Sequence, residues 1–177
     1  MTEQRAIADL WQRIRRLNEI VLQEDPTEFF KPPRAEKTIS AVEKALGFAL
    51  PPELRASYAV HDEVTQPWED CAFFDGVEQL PATISGYTEW AKHCPAFRCA
   101  VGTRPPVFGP RLVPFAFGNE TAFCMDLDPG EGGKPGQIVG VCFGDATSKV
   151  VAGGFVEFLE QGIKQLEAAL AKKKRRK

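Results

Sequence analysis

The hydrophobic period of this chain changes along its length, and the order of those changes restricts the fold more than any single motif. Apolar residues Ile7, Leu10, Trp11, Ile14, Leu17 and Val21 recur at helical spacing over 4–22, giving one stripe for a core. Asp25-Pro26 ends that run. Phe29-Phe30-Lys31-Pro32-Pro33 is a stiff connector, because a residue before proline is pushed out of the helical region. The spacing predicts a second helix over 34–46, with Ile39, Val42 and Leu46 inward and Gly47 as its left-handed cap. Pro51-Pro52 opens a third over 52–61, with Leu54 and Tyr58 inward. Beyond residue 70 the period shortens. Cys71–Phe74 reads as a strand, Asp75-Gly76 as a turn and Val77–Leu80 as its return. Ile84, Tyr87, Ala91 and Cys94 mark a short helix, and the proline-rich stretch 95–110 reads as an irregular loop. Strands are expected at 112–117, 121–127 and 137–143, the last two joined by the Gly/Pro-rich segment 128–136 as a long-looped hairpin. A short strand at Val150-Val151 precedes a final helix marked by Phe155, Leu159, Ile163, Leu166 and Leu170. Helices, then strands, then a closing helix is an α+β order, a mostly antiparallel central sheet flanked by helices in one domain.

A chain of 177 residues buries enough surface to fold without a metal or a disulfide. Glu3, Arg5, Asp9 and Arg13 interrupt any signal peptide, and the longest uncharged stretches, Gln79–Thr88 and Pro135–Gly144, are about half a membrane-spanning helix. Five cysteines, Cys71, Cys94, Cys99, Cys124 and Cys142, are an odd number. Free thiols in a reducing, cytoplasmic setting are expected, with Cys124 and Cys142 buried inside apolar alternations. The net charge of −2 hides an asymmetry, since the last six residues, Lys172–Lys177, are all basic. The remainder carries 16 basic against 24 acidic residues, and so acidic a body argues against binding a phosphate backbone. The tail reads as a solvated helix end opposing its dipole, removable without loss of the fold. A nuclear address or nucleic-acid patch is the alternative.

No familiar catalytic or metal motif emerges. Gly130-Glu131-Gly132-Gly133 has the glycines of a phosphate loop but lacks the Lys-Ser/Thr signature and leads into a strand. Counting from Asp126, a calcium loop fails at its sixth and twelfth positions. His93-Cys94 with Cys99 offers no second ligand pair for zinc. Ser85 lacks the leading glycine of a nucleophile elbow. His61-Asp62-Glu63 is the best acid/base group, the basis of an alternative reading as a small hydrolase, although a histidine closing a helix usually meets its last carbonyls. No catalytic residue, metal or cofactor is therefore expected.

What remains is aromatic and acidic. Trp68-Glu69-Asp70 and Phe73-Phe74-Asp75 interleave rings with carboxylates, either as a core strand with polar ends or as a protein-binding edge. Asp126 and Asp128 share one face at a strand end. They are either turn-forming residues or a carboxylate patch for a basic partner.

The run Ile39-x-x-Val42-Glu43-x-x-Leu46-Gly47-Phe48-x-Leu50-Pro51-Pro52-Glu53-Leu54, continuing to Tyr58 and His61-Asp62, resembles the opening of the SMI1/KNR4 domain, also called SUKH. Leu112–Ala116, Gly118-Asn119, Phe123–Pro129 and Gly136–Val139 are similar to its paired central strands, and Val151 to Glu160 to its closing helix. The chain departs at the corner, where Glu63 replaces the expected glycine, and in its helix at 4–22. The resemblance divides the chain into an N-terminal helix and connector at 1–35, the shared domain at 36–165, and a helix end with basic tail at 166–177. It implies protein recognition without a common catalytic set. Bacterial members often act as immunity proteins against secreted polymorphic toxins, and fungal relatives regulate cell-wall synthesis through partner binding. The expectation is thus a non-enzymatic immunity protein that blocks a cognate toxin, with a regulatory adaptor as alternative. The partner-binding candidates are Trp68, Glu69, Asp70, Asp75, Glu120, Asp126 and Asp128. No membrane, nucleic acid or small-molecule substrate is expected.

Overall fold

The structure is a computed structural model describing residues 3–23, 26–94 and 96–175. Asp25 at the expected helix end, Pro95 beside Cys94, and Arg176 and Lys177 of the tail lie outside the described residues.

Helix α1 (Glu3–Leu22) forms as its apolar spacing requires, and Ile7, Trp11 and Ile14 are completely buried. Each such side chain contributes roughly 1.5–3 kcal/mol on burial. Although α1 precedes the shared domain, it is therefore part of the same core. Helix α2 (Glu36–Leu46) ends at Gly47 in the left-handed conformation, φ 76°, whose N–H returns to the Glu43 carbonyl. Helix α3 (Pro52–Tyr58) is shorter than the expected 52–61, because the chain turns at Val60 and His61 through bonds to the Ser57 carbonyl.

Seven strands follow: β1 (Val64–Trp68), β2 (Cys71–Phe74), β3 (Arg98–Cys99), β4 (Leu112–Gly118), β5 (Thr121–Asp126), β6 (Gln137–Cys142) and β7 (Thr147–Ala152). Helix α4 (Leu80–Lys92) separates β2 from β3, and α5 (Phe155–Arg175) closes the chain. The sheet order is β1-β2-β4-β5-β6-β7-β3, antiparallel except for the β3–β7 pair. The fold is α+β, as expected.

Both faces of the sheet are covered. Along β5, Phe123 and Met125 face the larger core with Phe155, Phe158 and Leu159 of α5, while Ala122 and Cys124 face a second cluster packed by Ile84, Tyr87 and Trp90 of α4. Alternate residues thus enter different cores, so the central strands are apolar throughout.

Helices α1 and α5 lie side by side and run in the same direction. Arg13 pairs with Glu167, and in the last turn of both helices Lys173 of α5 donates from Nζ to the Val21 carbonyl of α1 at 3.0 Å. Two negative helix ends therefore meet at the basic tail. This revises the reading of the tail as merely solvated. Truncation after Ala171 is expected to cost about 1 kcal/mol through lost capping and dipole compensation, leaving the fold intact. Urea denaturation of the truncated and full chains measures it; no change in midpoint would deny Lys173 that role.

Three further expectations are corrected. Val77–Leu80 is not a return strand: Val77–Gln79 is a 3-10 turn leading into α4, and β2 pairs back with β1 instead. The irregular loop includes β3. Cys124 is buried, but Cys142 is only half-buried at the end of its strand, whereas Cys71 is fully buried.

The glycine-rich connector after β5 has a packing role. A Cβ at Gly130 or Gly133 would meet the backbone of Thr103 or Gly102. Gly102 donates to the Glu131 carbonyl at 3.0 Å, and Gly102's own carbonyl accepts from Gly130 N–H at 3.2 Å and Gln137 Nε2 at 2.7 Å. The loops 100–111 and 127–136 are locked together at one end of the sheet.

Candidate functional site

Three hairpin tips gather at the other end. The β1–β2 turn presents Glu69 and Asp70, the β4–β5 turn Asn119 and Glu120, and the β6–β7 turn Asp145, all exposed. Gly118 packs directly on the Asp70 backbone, where a side chain has no room. Glu120 lies over Gly144, whose hypothetical Cβ would be 2.6 Å from Glu120 Oε2. The tips therefore form one surface. Asn119 and Glu120 have φ of 48° and 59°, the pair required by a two-residue type I′ turn. Asparagine tolerates this conformation, but for glutamate it costs about 1 kcal/mol relative to glycine.

Behind the tips, a groove of about 350 Å³ runs between the sheet and α5. Trp68, Phe123 and Phe158 contribute its apolar lining, and Asp70, Lys149 and Gln161 polar groups. Gln165 fixes one wall, donating from Nε2 to Asp70 Oδ2 at 2.7 Å.

The candidate residues are thus divided. Glu69, Asp70 and Glu120 share the exposed acidic end. Trp68 borders it but is only 6% exposed, its ring held edge-on by Phe74 and Phe158 and pressed against Gly162. It is a core residue, not an exposed anchor. Asp75 is half-buried and accepts from the Thr83 hydroxyl, and burial raises its pKa. Asp126 is buried at the opposite end, where its Oδ1 accepts from Asp128 N–H at 3.2 Å and its Oδ2 from Gln137 Nε2 at 3.0 Å. Desolvation raises its pKa too. Asp128 Oδ2 lies 3.1 Å from Arg104 Nη1 and 3.4 Å from Arg111 Nη1. Asp126 and Asp128 therefore do not form a free carboxylate patch, because one is consumed by turn hydrogen bonds and the other by two arginines. Asp145, Lys149, Gln161 and Gln165 were not candidates; the register of β6 with β7 brings the first two to the site, and the packing of α5 on the sheet brings the two glutamines.

His61 lies away from this groove, edge-on to Trp11 and Phe30. Burial, reinforced by the Arg15 charge, lowers its pKa to about 4 despite a hydrogen bond to the Lys31 backbone. Its neighbour Asp62 accepts from Arg34 Nε at 2.8 Å and Val77 N–H at 2.9 Å, tying the corner to the start of the 3-10 turn. The unfolded chain takes up a proton at His61 near pH 6.5, whereas the native chain resists it until about pH 4. Stability should therefore fall as pH drops through that window, by about 2–3 kcal/mol in total, with no further contribution below it. His61→Phe should flatten this part of the profile. Chemical denaturation from pH 7 to 4 measures the slope; identical slopes in both proteins would contradict a buried neutral imidazole.

Among the described residues, no group of three or more His, Cys, Asp or Glu is arranged to hold a metal ion, and no helix is long and apolar enough to cross a membrane. No curated protein matches the chain. Residues 33–161 match the model of the SMI1 / KNR4 family (SUKH-1), a span from just before α2 to the middle of α5. The match covers well over half of the sequence and includes the acidic hairpin tips and all of the groove lining but Gln165, so the chain belongs to the SMI1/KNR4 (SUKH-1) family.

Proposed function

We propose that this protein is a non-enzymatic binding domain acting as an immunity protein, neutralising a cognate toxin by covering part of its surface. The observation that carries the reading is the convergence of Glu69, Asp70, Glu120 and Asp145 on one end of the sheet. Arg98, which donates to the Asp145 carbonyl at 3.4 Å, and Lys149 offset these charges only in part. Glu120 supports the same reading, because a glutamate occupies a backbone conformation that glycine would adopt at lower cost. Strain kept at an exposed tip suggests a use for its side chain. The partner of this end is a basic protein surface, steered by charge and completed by a side chain entering the groove behind the tips.

The test uses a toxin domain encoded beside this chain's gene, with association measured over a salt series. Glu120→Gly should stabilise the free protein by about 0.5–1 kcal/mol while slowing association several-fold. Asp70→Lys should slow association further, and the wild-type rate should decline as salt screens charges beyond about 8 Å. Wild-type association rates in both variants, independent of salt, would remove the acidic end as the binding surface.

A further inference from the structure

The groove behind the tips does not account for a second cavity that shares two of its walls, Trp68 and Gln165. This cavity of about 350 Å³ lies between α1, α5 and the β1–β2 hairpin. Its size falls in the range of about 300–1,000 Å³ typical of small-molecule sites. Its walls are mostly apolar: Val21 and Leu22 of α1, Leu166 and Ala169 of α5, Ala72 of β2, and Trp68.

The polar groups along these walls are engaged elsewhere. Asn18 Nδ2 donates to the Gln66 and Pro67 carbonyls at 3.0 Å each, which fixes the bulge in β1 where Gln66 takes φ 49°. Gln165 is tied to Asp70. Burial raises the pKa of the Cys71 thiol, so it is neutral, and it bonds to the Phe73 carbonyl. A preformed apolar cavity of this kind suits an apolar group better than water.

Charge at its two ends narrows the choice. The face of α5 that presents Gln165, Leu166 and Ala169 to the cavity continues through Lys172 and Lys173, three and four residues beyond Ala169. Lys173 Nζ bonds to the carbonyl of Val21, itself a wall residue, so an ammonium stands at that end. Among the described residues no carboxylate lies within ion-pair distance of Lys172 or Lys173. Glu69, the one carboxylate among the described wall residues, belongs to the exposed hairpin tip beside Asp70 and Gln165. Gln165 and Lys173 are eight residues apart, about 12 Å along the helix. The negative and positive groups therefore flank opposite ends of the cavity.

We infer that this cavity binds a single-chain aliphatic carboxylate, with its chain along Leu22, Leu166 and Trp68 and its carboxylate at Lys172 and Lys173. Each methylene taken from water is worth roughly fourfold in affinity, and the lysines supply charge-assisted donors. An alkylammonium would meet the lysines unfavourably or, reversed, reach only the solvated Glu69, where an exposed pair contributes little. A nucleic acid would use the basic helix end and leave the cavity empty. The site is distinct from the acidic tips and does not require a toxin partner, although its occupant touches Gln165, which holds Asp70 there.

The probe is decanoate, titrated below its micelle concentration into the full chain while backbone amide and indole N–H NMR shifts are followed. Hexanoate keeps the headgroup and shortens the chain; decyltrimethylammonium keeps the chain and reverses the charge. Decanoate should move the Trp68 indole signal and the amides of Val21, Leu22 and 165–173, and bind at least about tenfold more tightly than either control. Lys172→Ala/Lys173→Ala should weaken it several-fold, whereas Lys134→Ala, at the far end of the sheet, should not. Ala169→Phe, which places a ring in the cavity, should abolish the shifts, with its urea midpoint reporting whether the fold is kept. The inference is overturned if decanoate moves none of these signals, if hexanoate or decyltrimethylammonium binds as tightly, or if the double-lysine variant binds like wild type. Co-sedimentation with phosphatidylglycerol vesicles without a decanoate shift would assign the basic end to a membrane surface and equally overturn it.

Discussion

Replacing Trp68 with alanine should lower the unfolding free energy by about 3–5 kcal/mol, the range for removing a large aromatic side chain from a packed core. The indole is 6% exposed, with ring centroids 5.6 Å from Phe74 and 5.5 Å from Phe158. Gly162 of α5 forms the floor beneath it, so close that any Cβ there would collide with the ring. The helix approaches the sheet only because this one residue lacks a side chain, and the tryptophan fills the space so created. Alanine at 68 would leave a cavity that the surrounding rings cannot close without moving α5. Against a typical total stability of about 5–15 kcal/mol, the variant would be marginal. Urea unfolding gives the loss directly, and Glu69→Ala on the same turn, expected within about 0.5 kcal/mol of wild type, serves as the comparison. A Trp68→Ala loss below about 1 kcal/mol would contradict the packing described. Weakened partner binding by this variant would then report on the fold together with the groove that the indole lines.

The second large effect is expected at Asp62. Its carboxylate is 3% exposed and accepts from both Arg34 and the buried Val77 N–H, while Arg34 also reaches Glu78 at 3.0 Å. Asp62→Ala leaves a buried amide unpaired and removes the arginine's buried partner. Arg34 is half exposed, so water recovers part of its interaction, and the expected loss is about 2–3 kcal/mol. Asp62→Asn keeps an acceptor for Val77 and should lose roughly half as much. Equal losses in the two variants would place the effect in charge alone; a neutral Asp62→Ala would show that the corner is not held by this residue.

Much of this arrangement was readable in the chain. The stripes of α1, α2 and α5 survive because each helix turns one face to a core, and the apolar runs of β4, β5 and β6 survive because both faces of the sheet are covered. β1 escaped notice for a physical reason. Gln66 has a positive φ of 49°, the β1–β2 register shifts between Thr65 and Trp68, and Pro67 cannot donate to a ladder. Such a strand survives only at a sheet edge, and it reads as loop. Val77 and Leu80, mistaken for a returning strand, are three residues apart, a spacing equally suited to the turn and helix they enter.

Residue type at the site was more legible than residue role. Asp126 and Asp128 share a strand end as expected, but their partners Gln137, Arg104 and Arg111 arrive from other segments, and only tertiary structure reveals that their charge is taken. Trp68 was misleading because its polar neighbours Glu69 and Asp70 form a hairpin tip. Exposure changes completely within one residue at such a turn. Asp145 belongs to the acidic end solely through the register of β6 with β7.

The shared direction of α1 and α5 has a mechanical consequence. Each helix is about 30 Å long, so the start of α1 and the end of α5 stand at opposite ends of the pair. Tension applied between the two termini would load the α1–α5 contact in shear, along its full length, instead of peeling it open turn by turn. The Arg13–Glu167 pair and the Lys173–Val21 bond would have to yield together. A molecular motor pulling on the basic tail of a tethered chain would therefore meet its greatest resistance at the outset.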